Sequence, residues 1–314
     1  MKPLGPIPPG FTSVNGELAV DGVPVSELLA RAGGTPLFVY SSAMIRERIS
    51  SLRAAMPSNL AIHYAVKANP FQPVLQLLNK LVDGFDIASG GELEIVRAAG
   101  IDPAIVSFAG PGKRDSELEA AIAAGVTLNL ESEGEAERAL TVAGKLGVVP
   151  RLAIRVNPEF DLKGSGMKMG GGAKPFGVDA ERVPALARRI LAAGAEWRGF
   201  HIFAGSQALD ALAIAETQAQ SLDLAARLAA ASGAALPHCN LGGGFGIPYF
   251  PGDAALDIAE VGKRLGERLG NLPPELAETH FCIELGRYLV GEAGVYLTRI
   301  VDRKVSHPAP NAIG

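Results

Sequence analysis

Between residues 61 and 286, short β-branched or aromatic runs alternate with longer alanine- and leucine-rich stretches of helical period. That alternation is the mark of βα units feeding a parallel sheet. The predicted strands are "AIHYAVK" (61–67), "GFDIAS" (84–89), "IVSFAG" (105–110), "VTLNLE" (126–131), "RLAIRVN" (151–157), "GFHIFAG" (199–205), "HCNLGGG" (238–244) and "HFCIELG" (280–286). Several intervening stretches begin after Ser or Asp and end at Gly, as capped helices do. Eight units in roughly 220 residues predict a closed α/β architecture, the (β/α)8 or TIM barrel, over an open doubly wound sheet.

Two apolar segments fall outside these units. "TPLFVY" (35–40) precedes the first, and "VYLTRIVDRKVS" (295–306) follows the last with a period of two, so the pair predicts a separate β structure. The expected division is a barrel over 42–287, with 1–41 and 288–314 as segments of an incomplete β domain. The connection "NPEFDLKGSGMKMGGGAKPFG" (157–177) is long and glycine-rich, and is expected to be a mobile flap or a plain insertion.

Composition narrows the partners. A formal net charge of −4, with 20% charged residues, provides no basic field for nucleic acid, so a small-molecule ligand is expected. The opening "MKPLGPIPPGF" lacks the pattern of a secretory signal, and no apolar run reaches membrane-spanning length, which reads as cytoplasmic with no membrane partner. Cys239 and Cys282 are expected to be reduced core thiols, and no metal site is expected.

The polar residues of the predicted strands gather at their C-terminal ends, where a barrel of this type carries its chemistry. Lys67 ends strand 1, Asp86 and Ser89 strand 2, and Arg155 strand 5. His201 and Ser206 flank the end of strand 6, and Glu284 and Arg287 the end of strand 8. Each has a plain structural alternative: Lys67 could snorkel, Asp86 could cap a helix, Glu284 and Arg287 could form an ion pair, and His201 could be a core residue. Their shared end of the barrel favours a site. "LGGGFGIPY" (241–249) adds a glycine turn after strand 7, where backbone N–H groups can cradle a phosphate. A lysine at an apolar mouth loses hydration, and its neutral amine can form a Schiff base with an aldehyde. An aldehyde carrying a phosphate points to pyridoxal 5′-phosphate, with Glu284 suited to the pyridinium nitrogen.

The motifs "HYAVKANP", "GFDIASGGELEIV", "SFAGPGK", "RVNP", "AGSQ", "LGGGFGIPY" and "ELGRYLVGEAG", in this order over residues 11–306, resemble the fold-type III pyridoxal-phosphate decarboxylases, the group of diaminopimelate, ornithine and arginine decarboxylases. The resemblance implies that Lys67 is the Schiff-base lysine and that Asp86 and Glu92 support the cofactor pocket. It gives the phosphate to Ser206, Gly242, Gly243 and Gly244, places Arg155 beside the cofactor, and assigns Arg287 to phosphate or substrate carboxylate. It also implies a homodimer. The family often has His before its apolar-Gly-Ser segment; here Phe203 stands there and His201 two residues earlier, so either Phe203 or His201 covers the ring. "ELGR" replaces the usual Glu-Pro-Gly-Arg, and the flap resembles the branch acting on carrier-protein-linked aminoacyl groups, or the related branch of exopolysaccharide and protein-sorting clusters. The family's C-terminal catalytic Cys and Tyr motifs are not found, and the junction at Ser306 and His307 is expected to mark omitted residues.

The reaction expected is decarboxylation at the Cα of an amino acid, free or carrier-linked, with Lys67, His201 and Glu284 as the catalytic set. Racemisation on the same cofactor, or a cofactor-binding regulatory protein without turnover, are the alternatives.

Overall fold

The computed structural model describes residues 7–305, so the Ser306–His307 junction lies outside the described residues. The chain divides into two compact units, one over Met44–Glu292 and the other over Ile7–Ala43 with the residues from Ala293.

The larger unit is the expected barrel. Its strands are β1 (Ala61–Ala65), β2 (Gly84–Ile87), β3 (Val106–Phe108), β4 (Thr127–Leu130), β5 (Arg151–Asn157), β6 (Glu196–Ile202), β7 (His238–Asn240) and β8 (His280–Leu285). Each pairs in parallel with its successor, β8 pairs with β1, and the ring closes. Helices lie between successive strands, and their ends follow the sequence signals. Ser89, Ser132, Asp210 and Asp257 accept backbone N–H groups of the first turn, and Gly125, Gly147 and Gly233 close helices in the left-handed conformation.

Side-chain alternation explains both the core and the hollow. Ile62, Tyr64, Phe85, Phe108, Leu128, Ile154, Ile202 and Ile283 occupy one face of their strands and are at most 2% exposed. The opposite face, turned inward, carries Ala61 and His63, then Gly84 and Asp86, Ser107, Thr127 and Asn129, Ala153 and Arg155, His238 and Asn240, Cys282 and Glu284. Burial of this apolar face against the helices stabilises the barrel by ~25 cal/mol per Å² of apolar surface. The small inward residues leave a cavity of about 450 Å³ in the N-terminal half, where barrels of this type are usually filled by layers of side chains.

The 157–177 connection folds back onto the chain leaving β6. Met167 and Lys168 pair antiparallel with Ser206 and Gly205, and Met169 N–H reaches Ala204 O at 3.1 Å. Val178–Asp179 then lies parallel beside the end of β5.

In the smaller unit, Leu37–Tyr40 pairs antiparallel with Gly294–Leu297, from Leu37 opposite Leu297 to Tyr40 opposite Gly294. The alternation read through 306 therefore pairs only as far as Leu297, and Ile300, Val301 and Val305 beyond it are exposed. A three-stranded antiparallel sheet, Phe11–Val14, Glu17–Val20 and Val23–Pro24, was not foreseen. Its two turns are Asn15-Gly16 and Asp21-Gly22, all four residues at positive φ, as two-residue hairpins of matching twist require.

No helix among the described residues is long and apolar enough to cross a membrane. Among them no three His, Cys, Asp or Glu side chains are grouped to hold a metal ion, and both cysteines are free thiols.

Candidate active site

Two adjoining cavities, of about 250 and 210 Å³, open at the C-terminal ends of the barrel strands and share Lys67, Phe203 and Glu284. Ser206, Gly244 and Arg287 line the first, while Asp86, Arg155 and His201 line the second. Most of the side chains picked out by strand-end position therefore converge on one compartment.

Lys67 follows β1 in the single turn Val66–Ala68 and is exposed at the mouth. The dehydration expected for its ammonium is thus not supplied by the protein alone; a ligand filling the cavities beside it has to supply it. Asp86 is buried, and its two oxygens are divided between neighbours: Oδ1 accepts the Ser107 hydroxyl, and Oδ2 lies 3.4 Å from His63 Nδ1. Ser107 Oγ in turn accepts Asn129 Nδ2–H at 3.0 Å. Asp86 does not cap the next helix, since Ser89 does.

Glu284 is 7% exposed and accepts two hydrogen bonds on Oε2, from Asn240 Nδ2 at 3.1 Å and in contact with His201 Nε2 at 2.8 Å. Burial pushes its carboxyl up, but His201, with smaller help from Lys67 and Arg155, outweighs this and holds it below the usual carboxylate range. A carboxylate kept anionic inside the barrel, with Oε1 left for a donor from the cavity, suits a protonated ring nitrogen. Arg287 makes no ion pair with Glu284; it donates from Nη1 to Gln207 Oε1 at 2.9 Å and lies 5.5 Å from the Tyr249 ring centre.

The open choice at the ring face now has geometry. His201 is 2% exposed and engaged by Glu284, its ring centre 6.4 Å from that of Phe203, whereas Phe203 borders both cavities. Glu92 does not line either cavity. Its N–H donates to the N-cap Ser89 Oγ, while its Oε2 accepts the N–H of Ala88, the residue before the cap, at 2.7 Å and so steadies Ala88, which does line the second. Gly242 and Gly243 also stand back from the cavities, and only Gly244 borders one. Their glycine identity is nonetheless enforced: a Cβ on Gly243 would stand 1.9 Å from Glu284 O, and Gly242 and Gly244 have φ of 71° and 82°.

Several residues escaped the sequence reading. Glu131, at the end of β4, accepts Arg155 Nη1 at 2.9 Å and Gly110 N–H at 2.6 Å on Oε1, and Gly177 N–H at 2.8 Å on Oε2. It therefore ties Arg155 to the loop after β3 and to the base of the 157–177 connection. Phe176 lies 4.8 Å from the Arg155 guanidinium. Behind them Lys113 and Glu135 form a buried pair at 2.7 Å, in which burial pushes the ammonium down and the carboxyl up. The strand-end rule that found Arg155 points equally to Glu131 in "VTLNLES"; Asn240 sits in the strand-7 segment, of which only Cys239 and the glycines were singled out.

The compartment meets the needs of pyridoxal phosphate on its own terms. It has a primary amine, a buried anionic acceptor, an aromatic wall, and at the other end a hydroxyl, a glycine turn and a guanidinium. A protein-family model described as "Pyridoxal-dependent decarboxylase, pyridoxal binding domain" matches residues 42–291. The chain is 38% identical over 294 residues to a diaminopimelate decarboxylase of Aquifex aeolicus, covering 91% of this chain and 67% of that one. It is 32% identical over 275 residues to the L-glutamyl-[BtrI acyl-carrier protein] decarboxylase of Niallia circulans, covering 87% and 64%. The crystal structure of diaminopimelate decarboxylase from Helicobacter pylori complexed with L-lysine superposes with a TM-score of 0.79 at 29% identity, covering 89% of this chain and 70% of that one. The chain thus spans about two thirds of the length of such relatives. With the barrel, the strand-end lysine and the buried carboxylate all in place, the chain belongs to the pyridoxal-dependent decarboxylase family.

Proposed function

We propose that this protein removes the α-carboxylate of an amino acid, presented free or tethered to a carrier protein, in a cytoplasmic homodimer. The observation that carries the reading is the buried Glu284 carboxylate, kept anionic by His201 and facing the cavities that Lys67 borders. When bound, pyridoxal phosphate supplies an aldehyde for the Lys67 amine and a ring that accepts the electron pair released at Cα. Glu284 Oε1 holds a proton at the ring nitrogen, which keeps that ring electron-poor. Phe203 walls the ring, Ser206 and Gly244 take the phosphate, and Arg287 takes phosphate or substrate carboxylate. Asp86 borders the Lys67 end, with Arg155 held against the compartment by Glu131.

The substrate class is supported by relatives of two kinds, one named for diaminopimelate and the other for a glutamyl group on an acyl-carrier protein. The test is carbon dioxide release by the loaded full-length protein from a panel of free and carrier-linked amino acids. Release from any member is expected; inversion of Cα without release would replace this reading by racemisation. Sedimentation as a dimer is expected, and a monomer at working concentration would refute that part.

A further inference from the structure

We propose that His63 is a proton-relay residue, joining the hollow N-terminal half of the barrel to the Asp86 carboxylate on the floor of the Lys67 compartment. Its catalytic role rests on the decarboxylase reading; the relay itself does not.

The geometry begins at Gly84. His63 and Gly84 face each other across β1 and β2, and a Cβ on Gly84 would stand 2.6 Å from His63 Nε2. Only glycine leaves the imidazole room to lie flat there, so the two positions act as one unit. In that place Nδ1 lies 3.4 Å from Asp86 Oδ2, and that ring nitrogen is buried without a close hydrogen bond. His63 lines the cavity of about 450 Å³, and its side chain is 21% exposed although it stands inside the barrel.

The cavity wall is suited to water. Ser107, Thr127, Asn129 and Asn240 border it beside small residues such as Ala61 and Ala153. Cavities of this size with several polar groups hold ordered water, whereas purely apolar ones stay dry. His63 is thus placed between a hydrated space reached from the N-terminal face and an acid on the cofactor side.

The groups facing His63 favour a charged ring. Asp86 comes from β2, and Cys282 and Glu284 from β8. Asp83, Arg198, His238 and His280 border the same cavity farther away. Burial pushes His63 down, while the Asp86 carboxylate beside it pulls it up above the ordinary imidazole value; burial pushes the Cys282 thiol up as well, so that thiol stays neutral and brings no charge of its own. The relay step balances with a hydronium ion of the cavity water as donor: Nε2 of the neutral Nδ1–H ring takes its proton and leaves water, the charged ring then loses Nδ1–H as an Asp86 Oδ2–H bond forms, and a turn of the resulting Nε2–H ring resets the pair. Asp86 then carries that proton in the compartment it shares with Lys67.

The test uses the full-length protein loaded with pyridoxal phosphate and labelled with ¹⁵N-histidine. His63 is expected to titrate, its midpoint to fall by on the order of one pH unit in Asp86→Asn, and its ring N–H to exchange with solvent water. Ala153→Leu, which fills the cavity from β5, is expected to slow that exchange. An unmoved midpoint in Asp86→Asn, or exchange indifferent to Ala153→Leu, overturns the relay. In turnover, His63→Ala is expected to lower kcat about 10-fold or more, shift the pH profile, and recover saturably with added imidazole. KM should stay within about 2-fold. A loss without imidazole rescue and with an unshifted pH profile would make His63 a spacer over Gly84 and overturn the proposal. If the wild-type holoprotein decarboxylates nothing in the panel, the functional reading fails while the resonance measurements still decide the relay.

Discussion

The two ends of the barrel interior are built on opposite principles. At the C-terminal rim every buried charge has a named partner: Glu284 with His201 and Asn240, Arg155 with Glu131, Lys113 with Glu135. In the N-terminal half the inward positions are small and mostly neutral, and a cavity larger than either rim cavity remains. Cavity size therefore does not locate the chemistry in this protein. Convergent, partnered ionisable groups do, because a buried charge persists only where hydrogen bonds and opposite charges offset its lost hydration.

The largest expected effect tests the rim. Lys67→Ala is expected to abolish both the visible absorbance of the loaded protein and carbon dioxide release; absorbance of equal intensity in the variant would remove Lys67 from its role. Next comes Glu131→Gln, which strips the charge partner from buried Arg155 and should cost about 3 kcal/mol in denaturant unfolding. A loss within error would show Arg155 to be paired by solvent. Gly243→Ala sets a methyl group 1.9 Å from Glu284 O, and the β7 turn has to move, at a cost of about 2–3 kcal/mol. The contrasting change is Ala153→Val in the hollow half, expected to alter stability by less than about 1 kcal/mol and to leave cofactor affinity unchanged. If it proved as damaging as Gly243→Ala, the interior would be as tightly specified below as above.

The smallest effect concerns pH. His238, at the N-terminal end, is pushed down to about 4 by burial, with Arg198 and His280 adding repulsion. Its unfolded form binds a proton near pH 6.5 and its folded form only near 4, so between these values the unfolded state holds more protons. The contribution of neutral His238 to stability is full above about pH 6.5 and is lost as pH falls toward 4. Thermal unfolding of His238→Asn should show a smaller drop in Tm from pH 7 to 4.5 than the wild type. Parallel curves would assign the acid sensitivity elsewhere.

The same contrast explains what could be read in the chain before it was folded. Strand positions were legible because the outward faces are apolar and several of the helices carry their own caps, both local signals. Lys67, Asp86, Arg155, His201 and Glu284 were legible because strand ends are defined by those strands. Glu92 stands one step back from both cavities, because a carboxylate three residues after a helix-capping serine bonds the chain at the start of the helix, and it reaches the compartment through Ala88. The Asn15-Gly16 and Asp21-Gly22 hairpins carried a clear local signal that eight barrel units overshadowed.

By its periodicity and residue chemistry alone, the sequence determined a closed ring of βα units and the end at which its reactive groups gather. Only the tertiary structure decided which partner each group meets: His201 with Glu284 across 83 residues, Arg155 with Glu131 across 24, and His63 with Asp86 over a glycine. Charge state, burial and hollow space are sums over neighbours that barrel closure brings together, and no local window of sequence contains them.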